Sequence, residues 1–188
     1  MKKIILTAAM ALIAASGFAQ SKFAHVNMSE LIQLMPAADS ARATIAASQK
    51  EAQDTFQAMY EEYQSKLNTY QQNAEKWTAA IRQSKEKELG DIQQRLEEFN
   101  QSISSELQAQ QQQLMAPIQQ KAMETVNKLA KAGNYVYVFD MSSVIYIDPS
   151  QSTDLTPAAR KALGIADSRT LESLYAELQA QQQPAQQQ

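Results

Sequence analysis

Residues 56–107, FQAMYEEYQSKLNTYQQNAEKWTAAIRQSKEKELGDIQQRLEEFNQSISSEL, decide the fold. Apolar side chains recur at alternating three- and four-residue steps. The first run is Phe56, Met59, Tyr63, Leu67, Tyr70, Ala74, Trp77 and Ile81, and the second is Leu89, Ile92, Leu96, Phe99, Ile103 and Leu107. That spacing puts one narrow apolar stripe on a helix, as in the seam of a coiled coil. The two runs are separated by seven polar residues, Arg82 to Glu88.

Working outward, the helical composition extends from about Ala37 to Ala132, interrupted only by Gly90 and Pro117. Globular helices rarely exceed about 25 residues, so the pattern implies a coiled coil, a membrane span or a helical repeat. It is far too polar to span a membrane. A fold-back in the polar gap, with the tip near 82–88, makes an antiparallel helical-hairpin arm over residues 37–132, with Tyr63 and Ile103 at the same height. Two arms of about 46 residues, at about 1.5 Å rise per residue, would each reach roughly 70 Å. The alternative is one continuous helix pairing with another chain. Pro117 removes a helical hydrogen bond and is expected to act as a hinge or kink near the arm's base.

Flanking segments differ in character. Residues 1–19 read as a secretory signal: Lys2 and Lys3, an apolar run from Ile4 to Ala15, then Gly17 and Ala19 before a cleavage site. Phe23 to Met28 reads as a strand, Ser29 as the cap of a short helix over Glu30–Leu34, and Pro36 as the first turn of the long helix. Gly133 is expected to close the long helix in a left-handed conformation. Tyr135–Phe139 and Val144–Asp148 then read as a β-hairpin around Asp140–Ser143. Thr156-Pro157 caps a helix over Ala158–Leu163, ended by Gly164. A short amphipathic helix is expected within 165–178, and the Gln-rich residues 179–188 are expected to be disordered.

The fold class is therefore α+β and mostly α, a long arm on a small β-rich head built from 20–36 and 133–164. So small a disulfide-free head is expected to need other chains. Its first hairpin strand is apolar on both faces, and candidate oligomer-interface residues are Phe23, Val26, Tyr135, Val136, Tyr137, Val138, Phe139, Val144, Ile145, Tyr146 and Ile147. These residues do not choose dimer from trimer.

Chemistry is sparse. The chain has no Cys, one His (His25) and four Gly, which excludes disulfides, a phosphate-cradling or dinucleotide fingerprint, and a His-based metal site or triad within one chain. Glu61–Glu62 and Glu97–Glu98 are adjacent on helices and diverge by about 100°, so neither pair aims at one substrate atom. No catalytic residue, metal site or cofactor is expected. Seventeen basic against 20 acidic side chains give a net charge of −3, which argues against a nucleic-acid partner. The surface remains. Lys76, Arg82, Lys85 and Lys87 make a locally basic tip suited to acidic clients or anionic lipid headgroups, and Tyr60, Trp77, Met59 and Met115 offer adaptable apolar contacts. For Trp77 and Met59 the seam is the competing home.

The segments FAHVNMSELIQLMP, LMAPIQQKAMETVNKLAKAGNYVYVFD and VIYIDPSQSTDLTPAARKAL resemble the opening strand, arm base, hairpin and closing DxT helix of the Skp/OmpH family of periplasmic chaperones. The resemblance covers most of Phe23–Leu163. It implies a jellyfish-like homotrimer that holds unfolded outer-membrane proteins, without ATP, between its helical arms. The family's best-known member is strongly basic and this chain is acidic, so no lipopolysaccharide-binding residues are carried over. The competing function is a structural coiled-coil adaptor that bridges envelope components tip to tip.

Overall fold

The structure is a computed structural model that describes residues 21–182. The expected signal segment 1–19 lies outside the described residues, as do 183–188. The chain runs β1 (Lys22–Val26), α1 (Met28–Leu34), α2 (Pro36–Asn73), α3 (Ala79–Gly133), β2 (Tyr135–Asp140), a short 3-10 turn (Met141–Ser143), β3 (Ser152–Asp154), α4 (Thr156–Ala162) and α5 (Leu171–Gln182). Two compact units result. Of the described residues, one unit, the body, takes those up to Leu31 and from Ala122 onward; the other, the arm, is Ile32–Lys121.

The body is built on a three-stranded sheet in the order β2-β1-β3, with β1 parallel to both neighbours. This corrects the expected β-hairpin. One edge of β2 is occupied by β1, with Phe23 opposite Tyr137 and His25 opposite Phe139. Asp140 then ends the strand by accepting a hydrogen bond from the backbone N–H of Ser142. Val144–Asp148 is not a strand. Asp148 accepts from the N–H and the hydroxyl of Ser150 at 2.9 and 2.7 Å, and only beyond that turn does the chain pair with β1, on its other edge. Apolar β-branched sequence marks an extended segment but does not name its partner.

Helix caps also differ from expectation. Asn27, not Ser29, caps α1: its Oδ1 accepts from the Glu30 N–H at 3.0 Å while Glu30 accepts from the Asn27 side-chain amide at 3.3 Å. Thr156 lies inside α4 rather than capping it. Asp154 accepts from the Thr156 N–H at 2.8 Å, and the Thr156 hydroxyl accepts from the Asn27 N–H at 3.0 Å. The Asp-x-Thr pattern therefore fastens the end of β1 to the start of α4. At the end of α3 the left-handed residue is Asn134 (φ 54°), and Gly133 is needed for closeness instead: a Cβ there would sit 2.2 Å from Cε2 of the Tyr135 ring. Gly164, at φ 72°, does take the left-handed conformation after α4.

Ala24, Val26, Leu31, Val126, Leu155, Ala159, Leu163, Ile165 and Leu174 are buried in the body. His25 is nearly buried too, with Nδ1 2.8 Å from the Ser152 hydroxyl, so it is a structural strand residue. Arg160 ties the segment after Gly164 into this unit. Its guanidinium donates to Glu30 at 2.5 Å and to the carbonyls of Ala166 and Arg169 at 2.9 and 2.5 Å. Helix α5 opens with a reciprocal Thr170–Ser173 cap and continues to Gln182, so residues 179–182 are helical where disorder was expected.

In the arm, α2 begins with Pro36 in its first turn, where a missing N–H costs nothing, and runs 38 residues; α3 runs 55. The chain reverses at Ala74–Thr78, not at 82–88. Lys76 N–H bonds the Asn73 carbonyl at 2.9 Å, and the Thr78 hydroxyl accepts from the Ile81 N–H at 3.4 Å, capping α3. Tyr63 consequently faces Gln93 rather than Ile103. Helix α3 continues through Pro117.

Candidate functional site

The arm has a closed side and an outer side. Along the seam, half-buried apolar residues from the two helices meet: Phe56, Met59, Tyr63 and Leu67 from α2, and Leu96, Phe99, Ile103 and Leu107 from α3. Full burial is rare. Between Ala41 and Leu114 in the chain, Ile92 is the one buried side chain among the described residues.

Polar pairs bridge the helices instead. Tyr70 donates to Glu86, and Lys66 pairs with Glu88, which also takes Lys85 at 2.9 Å. Gln93 donates to the Tyr63 hydroxyl at 2.7 Å, Arg95 lies 3.6 Å from Glu62, and Gln110 donates to the Ser48 hydroxyl at 2.9 Å. The hydrogen bonds from Lys66 and Lys85 hold the Glu88 carboxyl down at about 2, and the bond to Glu88 raises Lys66. The Tyr70 hydroxyl is raised by its bond to the Glu86 carboxylate. This ladder explains the polar gap at 82–88: Glu86 and Glu88 are seam partners, not turn residues. Antiparallel opposite-charge pairing about a centre near Thr78 was the signal in the sequence that could have found it.

The seam also contains a cleft of about 460 Å³, lined by Ser48, Ala52, Thr55, Phe99, Ile103 and Leu107 and rimmed by Glu51 and Glu106. Gln110 also lines this cleft; its side-chain oxygen is buried and has no hydrogen-bond partner in the chain. A second, apolar cleft of about 400 Å³ lies beside Pro117, between Ala41, Leu114 and Ile118.

The tip residues expected to act together are partly gathered. Lys76 and Trp77 lie in the turn itself, Trp77 edge-on to Tyr70 with ring centroids 5.9 Å apart. Arg82, Lys85 and Lys87 are exposed on the first turns of α3. Tyr60 is well down α2, exposed, stacked on Phe56 and accepting from Gln64 at 3.0 Å. Met115 is half-buried near Pro117, far along the helix from the turn.

On the body, Phe23, Tyr137 and Phe139 form a stacked aromatic row, with centroid separations of 6.2 and 6.0 Å. All three are exposed, as are Val136, Ile145 and Tyr146; Ile145 is fully so. Tyr135, Val138, Val144 and Ile147 are half-buried. Val26, also expected at an interface, is only 2 % exposed and belongs to the body's own core. Among the described residues no group of His, Asp and Glu is arranged to hold a metal, and no helix is long and apolar enough to cross a membrane.

The arm is a helical hairpin with a polar-bridged seam, and the body carries a small parallel sheet with an exposed aromatic face. The chain matches the outer membrane protein (OmpH-like) family over residues 22–163, and it belongs to that family. Its fold is similar to the crystal structure of a candidate outer membrane chaperone (OmpH-like) from Caulobacter crescentus CB15, with a TM-score of 0.69 and 12% identity, covering 82% of this chain and 93% of that one. No curated protein matches the chain.

Proposed function

We propose that this protein is a chaperone of the Skp/OmpH kind: an ATP-independent periplasmic holdase that binds unfolded outer-membrane β-barrel proteins and keeps them from aggregating in transit. Family membership supports the class. The observation that carries the holdase reading is the arm: a long helical hairpin rich in weak polar and scattered aromatic contacts. Many weak contacts on several arms hold a client by avidity, and binding the unfolded state opposes both folding and aggregation by mass action.

The active form is a homotrimer. The exposed row Phe23–Tyr137–Phe139, with Val136, Ile145 and Tyr146, is the apolar surface that supports association, since a parallel sheet is normally covered on both faces. Lys76, Arg82, Lys85 and Lys87 at and beside the turn add electrostatic contact with acidic client segments or anionic headgroups.

The test is dilution of a urea-unfolded outer-membrane β-barrel into buffer with and without the protein. Suppressed light scattering at a modest molar excess of trimer is the expected result; unchanged scattering sinks the holdase reading.

A further inference from the structure

The outside and the seam of the arm differ in what they offer an unfolded chain. Among the described residues of the arm, Tyr60 and Ile81 are the exposed large apolar side chains. The rest of its outer surface is dominated by Gln, Glu, Lys and Ala. An apolar client segment finds little to hold there. The seam, in contrast, carries a continuous apolar stripe that includes Phe56, Met59, Tyr63, Leu67, Leu96 and Phe99.

That seam is closed loosely. One buried side chain, Ile92, serves the long stretch between Ala41 and Leu114. A half-open cleft of about 460 Å³ runs along the seam beside Phe99, Ile103 and Leu107, so these side chains are only partly covered by α2. Beside this cleft the helices are joined, among the described residues, by a single polar contact, from the Gln110 side-chain amide to the Ser48 hydroxyl at 2.9 Å. What spans the helices is largely polar: Lys66–Glu88, Tyr70–Glu86, Glu62–Arg95 and Tyr63–Gln93. Such surface pairs are individually weak and screened by salt.

We propose that the arm opens along its seam from the turn downward, with the polar ladder as its latch, and that the uncovered stripe is the surface that receives an unfolded apolar segment of the client. The proposal rests on the holdase reading. The occupant is an extended apolar segment, because a linear stripe with charges of both signs beside it matches a flexible chain and presents no fixed shape for a folded partner. The polar groups released from the ladder are already near water, so opening leaves few of them stranded, while the client covers the apolar stripe that opening bares to water.

The chain has no cysteine, so Lys66→Cys with Glu88→Cys supplies the only thiols. A bis-maleimide linker with a reducible centre then ties the helices at the latch. The locked protein should lose its suppression of barrel aggregation, and cutting the linker should restore it. Equal protection by locked and wild-type protein overturns the proposal while the holdase reading stands. Failure of the untied wild type sinks the holdase reading itself. If cutting the linker does not restore protection, the second measurement decides: a photo-reactive phenylalanine analogue at Phe99 should crosslink to client, and the same analogue at Gln101 on the outside should not. Crosslinking from Gln101 alone overturns the proposal.

Discussion

Lys66 of α2 and Glu88 of α3 form an ion pair across the arm, 22 positions apart in the chain, and Glu88 takes Lys85 as a second partner. With Tyr70–Glu86 and Tyr63–Gln93, the pair marks the register of the two helices about the turn at Ala74–Thr78.

The pH dependence follows from the sign of the shift. The Glu88 carboxyl is held down at about 2 against an ordinary 4.5, so the folded arm binds its anionic form more tightly than the unfolded chain does. Its stabilising contribution is fully present above 4.5 and is lost as the pH falls from there toward 2. Amide exchange in the turn-proximal arm should accelerate across that window. The comparison with Glu88→Gln isolates this residue from other carboxylates: the variant should start less protected at neutral pH and change less on acidification. Identical profiles would show that the pair contributes nothing.

Ile92 should be the most sensitive apolar position in the distal arm. It is 1 % exposed, while its seam neighbours Leu89 and Leu96 are half-buried. Ile92→Ala should cost the arm about 2–4 kcal/mol, and Leu96→Ala visibly less, because the loss scales with the cavity left behind. Exchange protection of α2 and α3 near the turn reads both, and equal effects would contradict a seam centred on Ile92.

The two long helices were legible in the sequence because a stripe at three- and four-residue spacing has no other economical reading. The reversal was not. A gap in apolar spacing looks like a turn, but here Glu86 and Glu88 fill the gap with polar cross-arm partners, and the chain turns at Ala74–Thr78 with no Gly or Pro to mark it. The strands were recognisable at Tyr135–Phe139 from β-branched and aromatic residues. Their pairing was hidden, since β1 joins them from more than a hundred residues away and Val144–Asp148 has the composition of a strand without its partner. Among the candidate site residues, the exposed aromatics of the body were legible from a strand apolar on both faces. Val26 was not separable from them, because burial by the rest of the body leaves no local trace.

Arg160 should govern whether the segment after Gly164 stays folded. It binds Glu30 and two carbonyls at once, with only 13 % of its side chain exposed against 23 % for Glu30. Arg160→Met removes the charge, keeps most of the volume, and leaves Glu30 largely buried without its guanidinium. The expected loss is roughly 2–3 kcal/mol in urea unfolding, with faster proteolysis within Ile165–Gln182. Wild-type proteolysis with lowered stability would place the cost elsewhere in the body.

Gly133→Ala tests a contact rather than a backbone angle. The added Cβ would lie 2.2 Å from the Tyr135 ring, so the ring must swing away from the end of α3, at a cost of about 1–3 kcal/mol. In Gly133→Ala/Tyr135→Ala the clash has no target, so the double variant should be less destabilised than the sum of the singles. Simple additivity in a thermal-unfolding cycle would show that close approach is not the reason for glycine.

Self-association should fail when the aromatic row of the body is made polar. Tyr137 and Phe139 stack on each other and, through Tyr137, on Phe23, and they are 60 % and 44 % exposed in the single chain. Because they already face outward, Tyr137→Ser with Phe139→Ser removes little from the chain's own core, and the helical signal of the arm should persist. Sedimentation velocity should show a homotrimer for the wild type and a smaller species for the variant at the same micromolar concentration. Tyr60→Ser, also at an exposed aromatic but in the arm, should leave sedimentation unchanged. A variant that sediments like wild type would locate the contact surface away from this sheet. A variant that also loses its helical circular dichroism would show that the two rings hold the body itself together and that their exposure has a structural cause.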